Sequence, residues 1–128
     1  KNIKIKIINN DCLNIDVIKM SVVIKNLLDN AVKYGQANNK SVELSSFITQ
    51  DNSIQYMNIA IKDFGPGVPE DMIEKITKPF VQVNQKESGF GLGLAICKKV
   101  LEAHKGYLKI KNNKDEGCTF IACFPIIA

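Results

Sequence analysis

The sequence predicts an α+β fold: a two-layer α/β sandwich whose mixed, mostly antiparallel sheet of about five strands carries three helices on one face. Three observations lead there. Residues 3 to 8, 41 to 50 and 54 to 62 alternate apolar and polar residues with the period of a strand, two later segments also read as strands, and others repeat apolar residues at helical spacing. Their order along the chain, β-α-β-β-α-α-β-β, brings strands together in neighbouring pairs, as an antiparallel sheet requires.

Residues 3 to 8 place Ile3, Ile5 and Ile7 on one side and Lys4 and Lys6 on the other, so a half-buried strand opens the chain. Asp16 then precedes Val17, Ile18, Val22, Ile24, Leu27, Leu28 and Ala31, an apolar stripe at helical spacing, and Gly35 stands where that helix should stop. Runs from Ser41 to Gln50 and from Ile54 to Lys62 flank the turn formers Asp51-Asn52-Ser53, which predicts a hairpin. The stretch Asp63-Phe64-Gly65-Pro66-Gly67-Val68-Pro69 cannot continue the strand, because its prolines remove donors and its glycines admit positive φ. A short helix near Glu70 to Ile76 follows this loop. Pro79 to Phe90 is polar and aperiodic, and from Gly91 to about Lys105 the helical pattern returns with Leu92, Ala95, Ile96, Val100 and Leu101, ending at Gly106. Residues 107 to 112 and 118 to 125 read as two strands around a turn from Asn113 to Gly117.

Composition narrows the classes of function. With 128 residues, 45% of them hydrophobic and 23% charged, the chain has material for one core and is no disordered tail. The 17 basic residues are all lysines, set against 13 acidic ones. They are spread along the chain, so biased genome composition, rather than a nucleic-acid surface, accounts for them. No apolar run approaches the roughly 18 residues of a membrane span. The start Lys1-Asn2-Ile3-Lys4 has neither a signal-peptide core nor an initiator methionine, so the chain reads as a piece of something longer, and a cytoplasmic one. Cys12, Cys97, Cys118 and Cys123 form no Cys-x-x-Cys pair, which argues for reduced buried thiols and against zinc.

Three constellations can carry chemistry. Asn26 and Asn30 are one helical turn apart and share a face with Lys33 nearby; a carboxamide oxygen can take one position on Mg²⁺, and the lysine can neutralise phosphate. Asp63, at a strand end before Gly65 and Gly67, can accept a hydrogen bond from an exocyclic amine such as that of adenine, while the glycines let backbone approach a ring. Gly89-Phe90-Gly91-Leu92-Gly93-Leu94-Ala95-Ile96 is a glycine-rich helix start whose orphan N–H groups suit phosphate. Taken singly, each also fits an ordinary helix or turn. A Rossmann fingerprint fails at Leu94, where glycine is needed, and a P-loop fails because Gly93 is not followed by lysine. Asp63-Phe64-Gly65 copies the magnesium motif of eukaryotic protein kinases, but the His-Arg-Asp segment is missing from a chain without arginine.

In this order the constellations resemble a known family. Asn26-Leu27-Leu28-Asp29-Asn30-Ala31-Val32-Lys33-Tyr34 is similar to the N box of sensor histidine kinases, and Asp63-Phe64-Gly65-Pro66-Gly67 to their first glycine box. Lys78-Pro79-Phe80 resembles the F box, Gly89 to Leu94 the second glycine box, and Gly117-Cys118-Thr119-Phe120 the Gly-x-Thr-Phe segment near the family's end. The likeness implies a catalytic and ATP-binding domain of the Bergerat fold, shared with gyrase, a heat-shock chaperone and mismatch-repair ATPases in the GHKL group. By motif, Asn30 would hold Mg²⁺ supported by Asn26, Lys33 would meet phosphate, Tyr34 would lie near the adenine, and Asp63 would read its amine. Gly65 and Gly67 would shape the base pocket. Gly89, Gly91 and Gly93 would line the phosphates under a lid, with Leu92, Leu94 and the F-box Phe80 counted alongside. Thr119 would stand near the base.

The departures refine the expectation. ATP-hydrolysing members of the group have a glutamate where this chain has Asn26, which cannot take a proton from water, so phosphoryl transfer to an imidazole is favoured over hydrolysis. His104 is the lone histidine and lies outside any phosphoacceptor context. The acceptor is expected on a dimerisation domain of the same parent that this single-domain chain, residues 1 to 128, lacks, so the fragment alone should not phosphorylate itself. Gln82 replaces an arginine frequent after the F box, leaving Lys86 as one cation for the γ-phosphate, and the lid from Val81 to Ser88 is short. The expected partners are therefore ATP, the histidine-bearing domain and, indirectly, a response regulator or receiver, with no nucleic acid and no membrane contact by this domain. A degenerate nucleotide-binding module and an anti-sigma-type serine kinase are the alternatives; Asn26 counts against the latter, where glutamate is expected.

Overall fold

The computed structural model describes residues 3–7, 17–34, 42–78, 93–113 and 117–126. Strand β1 (Ile3–Ile7) is followed by helix α1 (Val17–Tyr34), strands β2 (Val42–Asp51) and β3 (Ile54–Lys62), helix α2 (Gly93–Ala103), and strands β4 (Tyr107–Asn112) and β5 (Cys118–Pro125). The five strands form one sheet in the order β1-β2-β3-β5-β4. Only β1 runs parallel to its neighbour, with Ile3 beside Val42; the other pairs are antiparallel. This is the predicted mixed, mostly antiparallel sheet, with both α-helices packed on one face.

The third predicted helix is shorter than expected. A single 3-10 turn spans Glu70–Met72, and separate turns, such as Ile76 N–H to the Met72 carbonyl, carry the chain on to Lys78. Pro69 precedes the turn without a side-chain cap, and so short a piece cannot offset the cost of starting an α-helix. Buried Ile76 ties the segment to the core.

Turn chemistry sets the hairpin register. Asp51 pairs with Ile54, leaving Asn52 and Ser53 as a two-residue turn with φ of 48° and 70°, the positive-φ form whose twist matches the strands it joins. Helix α2 ends one residue earlier than Gly106 suggested. Lys105 takes the left-handed conformation at φ 62°, with its N–H on the Glu102 carbonyl and the Gly106 N–H on the Leu101 carbonyl, a Schellman closure. Gly106 is required for another reason: a Cβ there would lie 2.0 Å from the Cys123 carbonyl oxygen of β5.

The core lies between helices and sheet. Met20, Val23, Leu27 and Ala31 of α1 meet Cys97 and Leu101 of α2 and the inward residues Ile61, Cys118, Phe120, Ala122 and Phe124 of β3 and β5. Burying side chains the size of Leu27, Phe120 and Phe124 stabilises the fold by about 1.5–3 kcal/mol each. The buried row of α1 differs from the predicted stripe. Ile18 is 79% exposed and Val22 38%, because α1 carries two adjacent apolar rows and only one can face the sheet and α2. On the opposite face of the sheet Ala60, Ile121 and Cys123 form a smaller cluster with Phe47 and Tyr56. No helix among the described residues is long and apolar enough to cross a membrane.

Candidate functional site

Asp63 follows the last residue of β3 and is almost fully buried. Its Oδ1 accepts two backbone hydrogen bonds, from Gly65 N–H at 3.1 Å and from Cys118 N–H at 3.0 Å, while its own N–H donates to the Cys118 carbonyl at 2.9 Å. The carboxylate thus closes its own glycine loop and locks it to the start of β5. Burial pushes the Asp63 carboxyl above its usual value, and the Gly65 and Cys118 N–H groups pull the other way. With both bonds on Oδ1, Oδ2 is the oxygen left to accept a hydrogen bond from a ligand.

Close backbone approach builds the wall around it. Gly117 has φ of 80°, and a Cβ there would lie 2.1 Å from the Asp63 carbonyl oxygen. Gly67, at φ 81°, lies so close to Asn112 that a Cβ would come within 2.8 Å of its Oδ1. These two positions need glycine for conformation and for space together.

The sequence did not single out the two asparagines that grip this loop from the end of β4, Asn112 and Asn113. Asn112 Oδ1 accepts from Val68 N–H at 2.8 Å, and its Nδ2 donates to the Val68 carbonyl at 2.6 Å and to Glu70 Oε1 at 3.2 Å. Asn113 Nδ2 donates to the Asp63 carbonyl at 3.2 Å, and its Oδ1 accepts from the Thr119 hydroxyl at 2.5 Å. Two consecutive amides at a strand end, facing a loop of two glycines, were the signal available. Thr119 itself pairs with Lys62 and Lys111, whereas Cys118 and Phe120 belong to the helix-facing core. Strand alternation therefore turns Thr119 to the far face of the sheet, and Cys118, Asp63's own backbone partner, carries the side chain on the helix side. The alternation of β5 already contained this, since an inward Phe120 obliges an outward Thr119. Burial, with the negative charge of Asp63 second, pushes the Cys118 thiol up to about 12, and burial does the same for Cys97, so both are unreactive at neutral pH. Cys12 lies outside the described residues.

The helices supply the other half. Asn26 and Asn30 lie one turn apart on α1, both half-buried. Asn26 Nδ2 donates back to the Val22 carbonyl at 2.9 Å, and its Oδ1 lies against Gly93, where a Cβ would come within 3.1 Å. The first residue of α2 is thereby brought onto the asparagine face of α1, joining two motifs that are 67 positions apart in sequence (93 minus 26). Leu94 packs on the core as a partly buried side chain. Lys33 and Tyr34 close α1, and their side chains are not among those described. Phe80, Gly89, Gly91 and Leu92 lie outside the described residues, as does the segment from Val81 to Ser88. His104, at the end of α2, has Nδ1 2.9 Å from the Val100 carbonyl, which fixes the ring to its own helix.

Comparison with known proteins bears on this arrangement. The family described as "Histidine kinase-, DNA gyrase B-, and HSP90-like ATPase" matches residues 15–127. The alginate biosynthesis sensor protein KinB of Pseudomonas aeruginosa is 32% identical over 114 residues, 89% of this chain and 18% of that protein. The adaptive-response sensory kinase SasA of Rippkaea orientalis is 35% identical over 106 residues, 81% of this chain and 26% of that protein. The chain therefore spans only a minor part of the length of these curated relatives. Among solved structures, the catalytic domain of histidine kinase ThkA superposes with a TM-score of 0.81 at 27% identity, covering 98% of this chain and 78% of that one. Full-length ShkA in complex with AMPPNP gives 0.79 at 26% identity, covering 99% of this chain and 26% of that one.

Proposed function

Since this chain belongs to the family of histidine kinase-, DNA gyrase B- and HSP90-like ATPases, and is the ATPase domain of a two-component sensor histidine kinase, we propose that it binds Mg-ATP and passes the γ-phosphoryl group to a histidine on a dimerisation domain of the same parent. The observation that carries the nucleotide reading is the buried Asp63 carboxylate, with Oδ1 committed to two backbone N–H groups and Oδ2 left as an acceptor at the edge of a glycine loop. An acceptor-only oxygen suits the exocyclic amine of adenine and opposes the 6-oxo group of guanine.

Asn30 fits the metal. Among the described residues no group of three or more His, Cys, Asp or Glu could hold an ion. Mg²⁺ would arrive on the phosphates, with the Asn30 carboxamide as its ligand from α1 and Asn26 supporting from the preceding turn. When bound, the ion would neutralise charge on the phosphates. Lys33, at the end of α1, would add a positive charge there, and the Gly89 to Gly93 segment would offer backbone N–H groups.

Asn26 favours transfer over hydrolysis. Its Nδ2 donates to the Val22 carbonyl, and a carboxamide accepts no proton from water, so this position supplies no general base. An imidazole nucleophile needs placement more than deprotonation. Its nitrogen would form the new bond to phosphorus as the bond from phosphorus to the β,γ-bridging oxygen breaks, and ADP would leave. The same carboxamide speaks against a serine kinase of the anti-sigma type.

The test is calorimetric titration of the chain with AMPPNP, with and without Mg²⁺. Micromolar, magnesium-sensitive binding is expected. Absence of binding at millimolar analogue by a folded chain would overturn the reading in favour of a degenerate module. Transfer is then tested by joining the chain to the histidine-bearing segment of its parent and following label from [γ-³²P]ATP.

A further inference from the structure

The tandem asparagines at the end of β4 are absorbed by no motif, yet they make the densest set of side-chain bonds to the Asp63 loop. Asn112 ends β4 and Asn113 follows it, and the two side chains reach the loop at different points. Asn112 holds Val68 through both its N–H and its carbonyl, as a paired strand would, and adds Glu70. Asn113 holds the Asp63 carbonyl and the Thr119 hydroxyl, and its own N–H closes the turn on the Gly117 carbonyl at 3.0 Å.

The chemistry allows one orientation of each amide. Val68 N–H can only donate and must face Asn112 Oδ1; the Asp63 carbonyl can only accept and must face Asn113 Nδ2. Asn113 Oδ1 is then turned to Thr119, whose hydroxyl hydrogen is taken up on the far side of the sheet. Aspartate at either position would lose a donor, and leucine would lose everything. Between them the two side chains hold the loop at Asp63, where it leaves β3, and at Val68, beyond its glycines.

Resting on the nucleotide reading above, we propose that Asn112 and Asn113 are positioning residues for base recognition. They hold the glycine loop so that Asp63 Oδ2 meets the amine of an adenine ring, and they thereby set discrimination against a 6-oxo purine. Among the described residues, the bonds of Asn112 and Asn113 given above fall on the glycine loop and on the start of β5, so their effect is expected at the base.

The experiment compares AMPPNP and GMPPNP binding by calorimetry for the unchanged chain and for Asn112→Ala, Asn113→Ala and Asn112→Asp. Unfolding is followed in parallel, and Asn112→Asp keeps the shape and the acceptor should the alanine variants fail to fold. The expected result is a loss of about tenfold in AMPPNP affinity with GMPPNP affinity nearly unchanged, so the adenine-to-guanine ratio falls. Faster amide hydrogen exchange of Val68 in the Asn112 variants is expected with it. A parallel loss for both analogues, as general destabilisation gives, or an unaltered ratio, overturns the proposal. Failure of the unchanged chain to bind either analogue overturns the nucleotide reading, and this inference with it.

Discussion

The two halves of the proposed nucleotide site, one for the base and one for the phosphates, are built differently. Around Asp63 the backbone is buried, closely approached and bonded from three directions, by Gly65, by Cys118 and through Asn113. On α1 the corresponding groups are half-buried asparagines on a helix face, with Asn26 resting on Gly93, the first residue of α2. A ring that must be distinguished from its relatives needs fixed acceptors. A phosphate chain bearing a hydrated cation is held by charge and by many N–H groups, each tolerant of small shifts. On the proposed reading, the denser bonding lies where the ligand carries information.

The sharpest way to break the contrast is Gly117→Ala. Its Cβ would meet the Asp63 carbonyl and its φ is unfavourable for alanine, so a loss of about 3 kcal/mol or more is expected. Urea unfolding measures it, and a small change would show that the base side is softer than its bonds suggest.

Asp63→Asn comes next, and it separates binding from stability. Asparagine keeps an oxygen for the Gly65 and Cys118 N–H groups but loses the charge, so nucleotide affinity should fall at least about tenfold. Undiminished affinity in the folded variant would remove Asp63 from base reading. Stability should move the other way at neutral pH. Burial raises the Asp63 pKa in the folded chain above the ordinary 3.8. Its contribution to stability is therefore complete below that value and is lost as pH rises through the raised one. Relative to the unchanged chain, the variant should gain stability over that window, as unfolding midpoints at about pH 3 and about pH 7 would show. Nucleotide binding by the unchanged chain should weaken on acidification at a higher pH than an ordinary carboxylate would give.

The smallest effect on the fold is expected at Asn30→Ala, a half-buried helix position where the change should cost less than about 1 kcal/mol. Its effect on AMPPNP affinity should be larger with Mg²⁺ than without. Equal losses in the two titrations would take the metal role from Asn30 and leave the phosphate side without its named ligand.

Much of this arrangement was legible beforehand. The period of two in β1, β2 and β3, the turn formers at Asn52 and Ser53, and the glycines and prolines after Asp63 are consequences of local backbone geometry, which neighbouring residues express directly. The short helix after Pro69 was overread, because a few apolar residues at suitable spacing do not establish a nucleus. Thr119 is placed near the base by its motif; in the fold Cys118 faces the helices and Thr119 the opposite face of the sheet.

By itself, the sequence determined the elements, their order, the glycine positions and the family, since each follows from residues close together or from motifs in a set order. The tertiary structure alone decided which of two apolar rows of α1 is buried, how Gly93 comes to rest on Asn26, and that Asn112 and Asn113 grip a loop more than 40 positions away. The physical reason is the same in each case. An amide or an apolar row can satisfy several partners equally well, and only the packing of the sheet against two helices selects which one is within 3 Å or excluded from water.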